Sequence, residues 1–504
     1  MNSEAPLRAA EPDHFDVLIV GAGLSGIGAG YHLQANCPGR SYAILEGREA
    51  IGGTWDLFRY PGIRSDSDMY TLGYSFRPWR EAKAIADGPS ILDYVRDTAR
   101  DHGIDRHIRF GHQVKRAAWS SVDARWTVEA ERIDSGEVVR FNCNFVHMCS
   151  GYYDYAEGHL PDFAGAERFR GTRIHPQFWP EQLDYAGKRV VVIGSGATAV
   201  TLVPEMAKQA AQVTMLQRSP TYMVSRPSAD AVADWLRAWL PAKLAYAIVR
   251  WKNVLHGMFF YQLARRRPEK VKTKLIGMVR DELGPDYDVE THFTPRYNPW
   301  DQRLCLIPDS DMFDSIKAGR TRIVTGEIET FTEAGVRLCS GEELPADIIV
   351  TATGLKVQLL SGVEFTIEGE RRDLSKALSY KGMMFSDVPN LAYSFGYTNA
   401  SWTLKADLTC GYVCRLLNHM ERKGCAIAMP RREAGIAEVP FLDFTSGYVR
   451  RALDILPKQG SKRPWKLYQN YALDMASLKF GAIEDGVMEF RHCAGAHKPE
   501  RQAA

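Results

Sequence analysis

Short apolar runs that end in glycine alternate along this chain with longer stretches of helical spacing. Phe15-Asp-Val-Leu-Ile-Val20 stops at Gly21, residues from Ser25 through Leu33 can continue as a helix, and Tyr42 to Leu45 is a second apolar run closed by Glu46. This order predicts strand, helix, strand. A second unit repeats it, with Arg189-Val-Val-Val-Ile193, a helix through about Gln209, and Gln212-Val-Thr-Met-Leu216. Phe145 to Gly151 and Asp347 to Gly354 each read as a strand that ends in a turn of small residues. Together these units predict an α/β fold of two Rossmann-like domains.

Residues from about 229 to 290 interrupt the second unit with a helical stretch rich in aromatics: Trp235, Trp239, Tyr246, Trp251, Phe259, Phe260 and Tyr261, followed by Arg265-Arg-Arg267. Aromatic stripes at helical spacing usually face a core, so the favoured expectation is a helical subdomain that covers the active site. A basic, aromatic amphipathic helix can instead lie on a membrane surface, as a weak peripheral contact.

The glycines give the strands their chemistry. Gly21-Ala-Gly23-Leu-Ser-Gly26 follows a strand and opens a helix, so its amides and the helix N-terminus face a pyrophosphate. Glu46, at the end of the next strand, can accept hydrogen bonds from both ribose hydroxyls. A unit so near the N-terminus is more often for FAD. The second loop, Gly194-Ser-Gly196-Ala-Thr198-Ala199, tolerates alanine in its third position because a methyl still lets helix and strand pack closely. Its strand ends in Gln217-Arg218-Ser219, a cation and a hydroxyl where NAD would want a carboxylate. That suits the 2′-phosphate of NADPH, with Arg218 recognising it. Two dinucleotide cradles in one chain imply a redox enzyme that brings two cofactors together. The expected division is a FAD domain in two pieces, residues 1–155 and 355–504, around an NADPH domain at 156–354.

Composition narrows the alternatives. With 504 residues, 45% of them hydrophobic, the chain can build about three domains' worth of core. Its 63 basic and 61 acidic residues leave a net charge of +2, which gives no global case for a nucleic-acid partner. The nine cysteines are scattered without a CxxC pair and read as reduced thiols of a cytoplasmic protein, with no metal site. The segment after the first loop, Gly52-Gly53-Thr54-Trp55, has no thiol, which argues against a disulfide reductase. The first residues carry acids and lack a signal peptide's apolar core, and no apolar run approaches the ~18 residues that span a bilayer. The expectation is a soluble protein, or one peripheral to the membrane at most.

Between the two loops stands Phe169-x-Gly171-x-x-x-His175-x-x-x-Trp179-Pro180. Alone it could be a linker with a hydrogen-bonded histidine, but five spaced matches between two cradles resemble the fingerprint of Baeyer-Villiger monooxygenases. The related N- and S-oxygenating flavin monooxygenases usually carry a different aromatic without the proline. The resemblance extends over most of the chain, through residues 52–70, 298–305 and 396–405, and points to the ethionamide-activating branch of that family. It implies FAD contacts at Gly53, Thr54, Trp55 and Asp66, and it places His175 and Trp179 in coupling nicotinamide-domain movement to the flavin site. It also implies hydride from NADPH, dioxygen activation by FAD, and insertion of one oxygen beside a ketone carbonyl to give an ester. Sulfides or thioamides would be oxygenated on sulfur as a side activity.

The fixed positive charge that such chemistry needs falls, by the resemblance, on Arg303, with Asp66 as its expected partner. Many family members carry a lysine before this arginine; here the position is Gln302. A dedicated N- or S-oxygenating enzyme, and an NADPH oxidase or redox sensor that transfers no oxygen, remain as alternatives.

Overall fold

The structure is a computed structural model that describes residues 12–302, 304–442 and 444–492. Two sheets organise it. The first has eleven strands and is built around Asp13–Val20, which pairs in parallel with Tyr42–Leu45 on one side and Val138–Met148 on the other. Alternate residues of Asp13–Val20 enter two different cores: Val17 and Ile19 pack on one face of the sheet, Leu18 and Val20 on the opposite face. Residues 17–20 are covered on both faces and so must be apolar, which is why they read as an unbroken run.

The second sheet repeats the design with five parallel strands in the order Thr321–Thr325, Gln212–Gln217, Arg189–Ile193, Ile348–Thr351 and Thr172–Ile174. Val190 and Val192 face one core, Val191 and Ile193 the other. The chain leaves the first sheet after Met148 and later returns to it, where Leu391–Tyr393 pairs in parallel with Val138–Met148. The outgoing and returning segments, Tyr153–Gly158 and Leu355–Val357, pair with each other antiparallel, Leu355 opposite Gly158. This two-stranded ribbon joins the sheets.

Both nucleotide helices form, Leu24–Asn36 and Ala197–Met206. The second stops short of Gln209 because the chain turns through 207–211 to enter the strand Gln212–Gln217. The aromatic stretch after residue 229 is helical, in the segments Ala231–Trp239, Ala242–Arg266, Pro268–Leu283 and Val289–Phe293. The expectation that its aromatics are core needs correction. Tyr246 is buried, but Trp235, Trp239, Trp251 and Phe259 are exposed on the outer face. Among the described residues no helix is long and apolar enough to cross a membrane.

Candidate functional site

The two glycine loops are built alike. The Gly21 N–H donates to the Leu45 carbonyl and the Gly194 N–H to the Leu216 carbonyl, both at 2.8 Å. Each first glycine has positive φ, +102° and +132°, and turns its back on a neighbouring strand's end. A Cβ at Gly21 would lie 2.7 Å from the Cys149 carbonyl oxygen, and one at Gly194 would lie 2.4 Å from that of Ala352. The segments that follow Val138–Met148 and Ile348–Thr351 are therefore walls of the cradles, since they crowd out any side chain at these turns.

The middle glycines face the other way. A Cβ at Gly23 would meet only Gly53, with its nearest atom at 3.5 Å, and one at Gly196 would meet nothing within 4 Å. Neither helix has a side-chain cap, so the first N–H groups of Leu24–Asn36 and Ala197–Met206 are open to an anion. Open space before an uncapped helix N-terminus fits a dinucleotide pyrophosphate at both loops.

A cavity of about 810 Å³ runs between them. Gly21, Gly23, Glu46, Gly53, Thr54, Trp55 and Asp66 line it from the first sheet's side, and Thr198 from the second. Gly26 lies behind it, in the joint between strand and helix. The rest of the second loop, with Gly194, Gly196, Arg218 and Ser219, lies outside its lining. Arg303 lies outside the described residues, so its relation to Asp66 is not part of this geometry.

Glu46 is buried, with Oε2 accepting from Ala22 N–H at 2.7 Å and Oε1 from Arg48 N–H at 2.9 Å. Each oxygen keeps a lone pair for a ribose hydroxyl. Burial pushes this carboxyl up from its ordinary range, and the two amides and the Arg48 charge offset that only in part. Ribose hydroxyls donate to the carboxylate and less well to the acid. FAD affinity is therefore expected to fall as pH drops through the raised pKa, above the ordinary value of about 4.3. Flavin retained on ultrafiltration at stepped pH measures this, and Glu46→Gln should bind more weakly with a flatter profile. An unchanged profile in that variant would remove Glu46 from the ribose.

In the second unit Gln217 takes the place of Glu46. It is buried and turns its amide inward to the His292 carbonyl at 2.8 Å and Thr325 Oγ1 at 3.0 Å. The adjacent Arg218 and Ser219 are exposed at the strand end. The Gln217 amide oxygen is neutral and buried, a weaker ribose acceptor than a carboxylate, whereas the exposed Arg218 guanidinium can meet phosphate.

The fingerprint residues meet the ribbon that joins the sheets. His175 Nε2 lies 3.3 Å from the Gly354 carbonyl, and Nδ1 accepts from Gln177 N–H at 3.2 Å, which fixes one neutral tautomer. Burial lowers the pKa of this ring. Its imidazole also fills the space beside Gly158, where a Cβ would come within 2.1 Å. Phe169 packs in the core of the second sheet that contains Val191, and Trp179 in the one that contains Val192. A Cβ at Gly171 would strike the Asp347 carbonyl at 2.4 Å, and Pro180 is exposed.

Two features escaped the motif reading. Asp56 is buried and holds three guanidinium groups, Arg48 at 2.5 Å, Arg96 at 3.0 Å and Arg59 at 3.1 Å, and Arg48 is part of the cavity's lining. Its place in Gly52-Gly-Thr-Trp-Asp56, a stretch singled out for its resemblance, was the available signal. A second cavity of about 40 Å³ shares Tyr152, Tyr397 and Trp402 with the first and adds Phe395, Phe444 and Tyr448. Tyr152 stacks on Trp402 with centroids 5.2 Å apart.

Comparison with known proteins agrees with this geometry. Residues 84–359 match the flavin-binding monooxygenase-like family, and residues 19–87 an NAD(P)-binding Rossmann-like domain. The FAD-containing monooxygenase EthA of Mycobacterium tuberculosis is 55% identical over 480 residues, 95% of this chain and 98% of that protein. In overall fold the chain is similar to a steroid monooxygenase bound to NADP, with TM-score 0.73, 21% identity, and coverage of 95% of this chain and 100% of that one. It is also similar to cyclohexanone monooxygenase in an open form, with TM-score 0.75, 20% identity and the same coverages. Identity that high over nearly the whole length of a FAD-containing monooxygenase, together with a family match over more than half of the chain, leads to one conclusion: the protein belongs to the flavin-binding monooxygenase-like family, as a flavoprotein monooxygenase.

Proposed function

We propose that this chain is a FAD- and NADPH-dependent Baeyer-Villiger monooxygenase of the cytoplasm that converts ketones to esters and oxygenates sulfides or thioamides on sulfur as a side activity. The observation that carries the reading is the Phe169–Pro180 fingerprint seated on the paired ribbon between two open cradles. When bound, FAD with NADPH supplies the hydride relay and activated oxygen. Gly23, Glu46 and the Gly53–Trp55 turn hold the flavin nucleotide; Gly196, Thr198, Arg218 and Ser219 hold NADPH. With its ring on Gly158 in one strand of the ribbon and Nε2 on Gly354 just before the other, His175 couples a shift of the nicotinamide domain to the flavin side.

Arg303 keeps a fixed positive charge at the reacting oxygen, which favours attack on the carbonyl carbon, and Asp66 holds that guanidinium in place. The aromatic cavity around Tyr152, Phe395 and Trp402 suits the apolar substituents of aliphatic or aryl-alkyl ketones.

The test is anaerobic reduction of the holoenzyme by NADPH, then mixing with aerated buffer and a methyl ketone while ester is measured. Arg303→Ala should lower ester formation by about a hundredfold or more while NADPH still bleaches the flavin. Ester formed by this variant near the wild-type rate would remove Arg303 from the chemistry. Wild-type enzyme that yields sulfoxide but no ester would move the reading to a dedicated S-oxygenase. NADPH consumed with neither product would leave an oxidase.

A further inference from the structure

The helical stretch after residue 229 has two faces with different fates. Its inner face is fastened down: Arg250 donates to the carbonyls of Tyr70 and Gly73, both at 2.7 Å, and the Tyr246 hydroxyl donates to that of Tyr74 at 3.0 Å. The outer face is apolar and open. On Ala242–Arg266, Leu244, Ile248, Trp251, Leu255 and Phe259 recur at spacings of three and four and are all exposed. They form one stripe about 22 Å long. On the preceding helix Trp235 and Trp239, four residues apart, are 63% and 75% exposed, and Phe259 is 66% exposed. Seven large apolar side chains on two consecutive helices exceed the scattered exposure of an ordinary surface.

Charge says what would cover them. Residues 231–283 hold eleven Lys and Arg against four Asp and Glu, while the whole chain is only +2, so the remainder of the molecule is net acidic. Some of these cations are engaged internally: Arg250 with Asp407, Lys252 with Asp230, and Arg265 with Asp301. Lys243, Arg266, Arg267, Lys270 and Lys274 are exposed. Lys243 adjoins one end of the stripe and Arg266 lies beyond the other. Two copies of the chain placed face to face would press these like charges together. An anionic lipid surface would not: it takes the stripe and tryptophans at the headgroup boundary and the cations among its phosphates.

We infer that the outer face of Ala231–Trp239 and Ala242–Arg266 docks the enzyme on anionic membrane surfaces. The helices lie along the surface and do not span it, in keeping with the lack of a spanning helix among the described residues.

The experiment is co-sedimentation of the full FAD-loaded protein with phosphatidylcholine vesicles, with and without phosphatidylglycerol, at low and high salt. The wild type should sediment with the phosphatidylglycerol vesicles and be partly released by salt. The triple variant Trp235→Ser/Trp239→Ser/Phe259→Ser should lose at least about tenfold in partitioning. It should retain FAD and wild-type turnover of a water-soluble ketone, which separates lost docking from lost fold. Lys243→Glu/Arg266→Glu should bind neutral vesicles as the wild type does and lose the preference for anionic ones. The inference is overturned by a wild type that stays in the supernatant, or by a triple variant that sediments like the wild type. It is equally overturned if, without lipid, the triple variant is a monomer where the wild type is a dimer, because the face would then belong to a second copy.

Discussion

Gly26→Ala is expected to give a protein that folds in its second sheet but carries no FAD, with the flavin absorbance lost and monooxygenase activity lost with it. Gly26 sits in the first turn of Leu24–Asn36, where its backbone conformation suits alanine, so the penalty is steric. An added Cβ would stand 1.8 Å from the Gly21 carbonyl oxygen and 3.0 Å from the Gly21 carbonyl carbon. No rotamer relieves a clash with backbone. Gly21 cannot retreat either, because its own Cα side is against the Cys149 carbonyl and its N–H is held by Leu45. The helix must therefore back away from the strand, at an overpacking cost of about 1–3 kcal/mol or more, and its N-terminal amides leave the pyrophosphate position.

Gly196→Ala is the informative contrast. Its Cβ would meet nothing of the protein within 4 Å, and Ala199 already occupies in the second loop the place that Gly26 holds in the first. This variant should keep its fold and its FAD and show only a raised KM for NADPH, since the ligand alone would touch the methyl. Full flavin occupancy in Gly26→Ala, read as the ratio of flavin to protein absorbance, would rule out the first loop as the FAD cradle.

These loops were legible in the sequence because their chemistry is local. A strand buried on both faces has to be apolar throughout, and Tyr42–Leu45 and Arg189–Ile193 begin and end where the apolar runs do. Glu46 was legible because its role depends on one strand end. The helical stretch was legible only as helix. Periodicity shows that Leu244, Ile248 and Trp251 share a face; whether another element covers that face is decided by residues far along the chain. Here the covered face belongs to Tyr246, Val249 and Arg250, and it is fixed by backbone carbonyls at Tyr70 and Gly73 that no spacing rule could nominate. The same holds for Asp56, an acid in a short motif whose three arginine partners come together only through folding.

Arg250→Met is the substitution expected to cost most in stability. Arg250 and Asp407 are each about nine-tenths buried, with Arg250 Nη2 3.5 Å from the carboxylate. The carboxylate also meets His32 at 3.4 Å and accepts from Ser75 N–H at 2.9 Å. Removing the guanidinium strands a buried charge and leaves the Tyr70 and Gly73 carbonyls without their donor, a loss of about 3–5 kcal/mol. Thermal unfolding should move down by about 3–5 °C.

The pH dependence has a definite sign. Burial pushes the Asp407 carboxyl up, but the His32 hydrogen bond, the His32 and Arg250 charges and the Ser75 amide together outweigh it and leave it lowered. A lowered folded-state pKa contributes stability above the unfolded value of about 3.9, and that stability is lost as pH falls through the folded value. Without Arg250 one of the lowering influences is gone, so acid destabilisation should begin at higher pH than in the wild type. Arg250→Met/Asp407→Asn removes the stranded charge and should recover part of the loss near neutral pH. A single variant that melts within about 1 °C of the wild type would mean that the buried pair contributes nothing to holding the helices Ala231–Trp239 and Ala242–Arg266 in place.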